Sequence, residues 1–133
     1  MKFDVEKTIN YWKDSAEYDL ETADALFEKE RFPYALFMGH LAIEKLLKGL
    51  FVRDNNEHAP WIHSLPVLAS KLKIKISDNI SEKLGEFMEF HLEGRYPDYQ
   101  MEFYAKCTQV FTAQKMEEIR EIYKWLNSQF YAQ

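Results

Sequence analysis

A chain of 133 residues can bury a continuous core without metals or cross-links, so we expect one domain spanning 1–133 and no second. Hydrophobic residues make up 47% and aromatics 16%, while glycine and proline number only four each; this poverty of turn formers predicts an all-α fold. The formal net charge of −5 disfavours a general electrostatic grip on nucleic acid but leaves room for a local basic pocket.

In residues 5–29, Ile9, Trp12, Ala16, Leu20, Ala23 and Leu26 recur at steps of three and four and draw one apolar stripe along a first long helix. Asp19 sits beside that stripe, where a carboxylate reaches a partner on the next helix or is simply a boundary residue. Pro33 ends the first helix and suits the first turn of a second, and so short a connection implies an antiparallel pair.

The second helix, 32–53, is apolar on nearly every face and reads as the centre of the fold. His40, Glu44 and Lys48 nevertheless fall four residues apart along one line of it. Such a stripe is either a narrow solvated edge with one Glu–Lys pair or the wall of a functional cleft. Asp54-Asn55-Asn56-Glu57 supplies a turn, and a loop through His58 and His63 follows. Ser64 caps a short helix running to Leu72.

Residues 71–76 alternate polar and apolar, yet no second strand exists to pair with them, and we read an extended connection. Ser77, Asp78 and Asn79 offer caps for a third long helix, with Ile80, Leu84, Phe87 and Met88 or His91 facing inward and Gly94 as its stop. The aromatic loop from Arg95 to Tyr99 must pack on something, and 100–108 lacks periodicity. Thr112 then caps a fourth long helix carrying Met116, Ile119, Tyr123, Leu126 and Phe130.

Cys107 is the only cysteine, so an intramolecular disulfide is impossible. The N-terminal residues lack an apolar signal core and no run approaches the roughly 20 apolar residues of a membrane span, from which we expect a cytoplasmic location and no membrane contact. His58 and His63 alone do not make a zinc site, and no further ligand cluster has suitable spacing; neither a metal nor a cofactor is expected. The scattered glycines provide neither a dinucleotide fingerprint nor a P-loop. Arg95, just past a helix stop and followed by Tyr96-Pro97, is either a fixed fork for phosphate or carboxylate, or the partner of Asp98 or Glu93 in a structural turn.

These residues resemble the HEPN domain, a helical family that travels with nucleotidyltransferases. Trp12, Ala16, Asp19-Leu20, Ala23 and Leu26 are similar to its first helix, and Tyr34-Ala35 with Ala42-Ile43-Glu44-Lys45-Leu46-Leu47-Lys48-Gly49-Leu50 to its best-known stretch. His63-Ser64-Leu65 with Leu68, and Arg95-Tyr96-Pro97-Asp98, resemble the loop and the Arg-Tyr-Pro motif of one large subgroup. The resemblance implies an up-and-down bundle of four long helices with a short additional helix, a homodimer, and a separate minimal nucleotidyltransferase as partner in a toxin–antitoxin type of pair.

In the ribonuclease branches an Arg followed after four to six residues by His carries RNA cleavage. No His follows Arg95 at that distance, and Arg53 with His58 has the spacing in the wrong place. Two expectations follow: a subunit that binds nucleotide or RNA phosphate through Glu44, Lys48, His63 and Arg95 in one cleft, or a metal-independent ribonuclease toxin in which Arg95 and His63 serve the chemistry.

Overall fold

Capping side chains start four of the six α-helices in the computed structural model, which describes residues 3–132. Six α-helices follow one another: α1 (Val5–Glu28), α2 (Phe32–Asn55), α3 (Leu65–Ser70), α4 (Asp78–Phe87), α5 (Pro97–Lys106) and α6 (Gln109–Gln129), with a 3₁₀ turn (Met88–Phe90) after α4. No strand occurs among the described residues, as the all-α expectation requires. Nor is any helix among them long and apolar enough to cross a membrane.

The Asp4 carboxylate accepts the Lys7 backbone N–H at 3.0 Å and starts α1. The helix ends in a Schellman turn, with Arg31 N–H donating to the Leu26 carbonyl and Glu30 N–H to that of Phe27. Glu30 bears the left-handed backbone there, at φ 60°. Pro33 in the first turn of α2 then sends the chain back along α1.

α2 is the centre: α1, α3, α6 and the 3₁₀ turn all pack on it, and Leu36, Ile43, Leu46, Leu47 and Leu50 are fully buried. Its two glycines permit close approach. A Cβ at Gly39 would stand 2.8 Å from Ile119 Cδ1 of α6, and one at Gly49 would stand 3.2 Å from Trp12 Cβ of α1. The long α1, α2 and α6 thus form one packed slab, and the shorter helices close it at the side that carries the polar stripe.

α2 runs on to Asn55 rather than 53 and α3 stops at Ser70 rather than Leu72, and larger differences from the sequence reading occur in three places. The third helix stops at Phe87 and tightens into the 3₁₀ turn, which brings both Phe87 and Phe90 into the core; Gly94 lies beyond it in a loop at φ 75°. Residues 97–106 are helical. Pro97 and Asp98 favour the first turn of α5, but only Phe103 is buried, so no apolar period shows in the sequence. Finally, Thr108 and not Thr112 caps the last helix, accepting Phe111 N–H at 3.2 Å, while Thr112 is buried within it. The alternating 71–76 stretch forms no strand, as expected; the Asp54 carboxylate pins it by accepting Lys73 N–H at 2.8 Å.

Candidate functional site

The stripe on α2 is not a solvated edge. His40 is fully buried, and Glu44 and Lys48 are 4% and 8% exposed. Helical spacing sets all three on one line, the turn after α4 covers His40, and the 56–64 loop delivers His63. Glu44 Oε2 accepts from His63 Nδ1 at 3.0 Å and pairs with Lys48 Nζ at 3.1 Å. His40 Nδ1 lies 3.2 Å from the Phe87 carbonyl oxygen. A carbonyl only accepts, so Nδ1 carries the proton and Nε2 is the nitrogen that faces Glu44 Oε1, at 3.6 Å. That separation is too long for a hydrogen bond. His91 stacks on His63, with ring centroids 5.5 Å apart and planes at 22°, and approaches His40 to 5.2 Å.

Burial pushes the Glu44 carboxyl up, but His40, His63 and the Lys48 ammonium together outweigh it and hold the pKa at about 2. Glu44 is therefore ionised at any physiological pH. Burial first, and then the neighbouring His40, press the His91 pKa below its ordinary value.

Lys48 and His63 also line a cavity of about 310 Å³ with Trp12, Ala59, Pro60 and Trp61. Lys48 Nζ sits 5.5 Å from the centre of the Trp12 ring, and Trp61 is 99% exposed at the mouth. The structure thus brings together three of the four residues expected from sequence, Glu44, Lys48 and His63.

Arg95 stands apart from that group of hydrogen bonds. Its Nε donates to the His91 carbonyl at 3.1 Å and its Nη2 to that of Met88 at 3.4 Å, and the guanidinium lies 4.4 Å from the centre of the Tyr99 ring. Neither Asp98 nor Glu93 pairs with it among the described ion pairs. It borders a second hollow, of about 410 Å³, with Pro97, Gln100, Met101 and Tyr104. His91 connects the two regions, since its ring faces the α2 stripe and its carbonyl holds Arg95.

Sequence reasoning named His91 only as an inward-facing alternative and gave Trp61 no role. The first could have been found by asking which polar group meets the buried stripe; nothing in the sequence marked the second. Asp19 does reach the next helix, pairing with Lys45 Nζ at 2.7 Å, and thereby ties α1 to α2 away from the stripe.

The HEPN domain family matches residues 9–129. A crystal structure of TT1696 from Thermus thermophilus superposes with a TM-score of 0.76 at 19% identity, covering 90% of this chain and 96% of that one; at this identity the likeness speaks to the fold. No match was found among curated proteins. With nearly the whole chain inside the family match and the helical bundle of a similar solved structure beneath it, the chain belongs to the HEPN domain family.

Proposed function

We propose that this chain is a HEPN subunit that binds the phosphate of a nucleotide or RNA and acts beside a separate minimal nucleotidyltransferase. The observation that carries this reading is the shared cavity of Lys48, His63, Trp12 and Trp61. Lys48 supplies a point charge for phosphate, half-exposed His63 a second donor, and the fully exposed Trp61 a face on which a base stacks. A local cation between aromatic faces serves an anionic ligand despite the acidic total charge.

Arg95 extends the site along the surface through His91. Its planar fork is backed by two carbonyls and the Tyr99 ring and meets no carboxylate among the described ion pairs, so it suits a second phosphate of the same strand. The homodimer implied by the family resemblance belongs to the same proposal: Tyr96, Met101 and Tyr104 are exposed around Arg95 and offer apolar surface to a second copy. Light scattering at micromolar concentration tests it, and a monomer mass would remove it.

The ribonuclease alternative gains one specific observation. Glu44 orients His63 through Nδ1, and the His63 ring lines the cavity, the arrangement of a carboxylate-positioned acid or base. Titration of a fluorescent nucleotide and of a short RNA, each with and without a neighbouring nucleotidyltransferase, decides between the readings. Binding that weakens in Lys48→Ala and Arg95→Ala without RNA cleavage supports the binding subunit. Cleavage abolished by His63→Ala supports the enzyme, and no binding to either ligand overturns both.

A further inference from the structure

Three buried polar atoms converge without any hydrogen-bond partner: His40 Nε2, Glu44 Oε1 and His91 Nδ1. Orphaned polar atoms are uncommon in folded interiors, and here three residues that carry them lie side by side. With His40 Nδ1 committed to the Phe87 carbonyl, Nε2 stands 3.6 Å from Glu44 Oε1, beyond ordinary hydrogen-bond reach.

We infer that His40 Nε2, Glu44 Oε1 and His91 Nδ1 form a binding site for a divalent transition-metal cation of the zinc class. One ligand atom from each of His40, Glu44 and His91 lies within 4.8 Å of the other two. Tetrahedral ligands about 2.1 Å from zinc stand about 3.4 Å apart, close to the 3.6 Å between His40 Nε2 and Glu44 Oε1. Closing the remaining legs from 4.8 Å asks the His91 ring to move inward by at most about 1.6 Å, and His91 lies in the irregular segment just after the 3₁₀ turn.

The surroundings are those of a metal site as well. Histidine ligands characteristically donate their other ring N–H to a backbone carbonyl, as His40 does to Phe87. Glu44 would ligate through Oε1 while Oε2 stays with Lys48 and His63, so the carboxylate is oriented from outside. Two histidines and one carboxylate favour zinc, cobalt or iron over calcium or magnesium, which prefer oxygen. Three protein ligands leave a fourth position for water, and the cation would fix the carboxylate that in turn positions His63 and Lys48. The inference does not rest on the phosphate reading, because none of the three ligands lines the Lys48 cavity.

The test is titration of untagged, chelator-treated protein with Co²⁺, read by its visible absorption, and then with Zn²⁺ as competitor. One Co²⁺ per chain is expected, displaced by Zn²⁺ and weakened by at least about a hundredfold in His91→Ala and in Glu44→Gln, with His58→Ala as the unaffected control. Ring resonances of His40 and His91 in the unaltered protein provide a second readout that needs no variant: both should shift on adding Zn²⁺. Binding that survives His91→Ala, binding lost only in His58→Ala, or ring resonances of His40 and His91 that ignore Zn²⁺ would overturn the site and leave a buried water as the occupant.

Discussion

Replacing Glu44 by glutamine keeps the volume and removes the one charge that Lys48 and His63 share. Holding the carboxyl at about 2 against an ordinary 4.5 is equivalent to about 3 kcal/mol of native-state preference for the ionised form. Breaking a buried pair from one side costs about 3–5 kcal/mol. Lys48 lies at the rim of a cavity, where its ammonium can regain water, so we expect about 3 kcal/mol from urea unfolding of metal-free protein at pH 7 with an unchanged m value.

The sign of the pH dependence follows from the depressed pKa. The Glu44 contribution is complete above about 4.5 and is lost as pH falls toward 2, so the difference between the unaltered protein and Glu44→Gln should shrink across that window. Lys48→Met in the Glu44→Gln background should restore part of the loss, because no buried charge is then left alone. A loss below about 1 kcal/mol at pH 7, or a difference that does not change between 4.5 and 2, would refute the claim that this ion cluster is desolvated.

Further outcomes are expected elsewhere. Glu30→Gly should raise stability by about 1 kcal/mol, since glycine takes the left-handed Schellman position without the Cβ clash; an unchanged or lower urea midpoint would count against it. Burial, and then Glu89, push the Cys107 thiol up to about 11, so iodoacetamide at pH 8 should modify the folded chain at least about a hundredfold more slowly than the urea-unfolded one. Equal rates would show that Cys107 is open to solvent. Trp61→Ala should leave the unfolding midpoint unmoved, because the side chain is 99% exposed, and yet weaken nucleotide binding by about tenfold, a stacking contribution near 1–2 kcal/mol.

The sequence by itself determined the all-α class, the central position of α2 and, to within two residues, the ends of the first two helices, because apolar periodicity, Pro33 and the Asn-rich stretch that ends in the left-handed Asn56 cap are local signals that the helix reads directly. It also determined the alignment of His40, Glu44 and Lys48, since spacing of four places residues on one line whatever surrounds them. Tertiary structure alone decided whether that line met water. The residues that bury it, His63, Phe87 and His91, lie 19 or more positions beyond Glu44 and carry no local mark of where they will pack. α5 escaped notice for a related reason: its helicity rests on Pro97, one buried Phe103 and the Glu89 contacts of Tyr99 and Lys106, not on a period of its own. Arg95 shows the same limit, since its nearest charged neighbours in sequence suggested a pair, and it found the carbonyls of a 3₁₀ turn whose geometry follows only from burying Phe87 and Phe90 together.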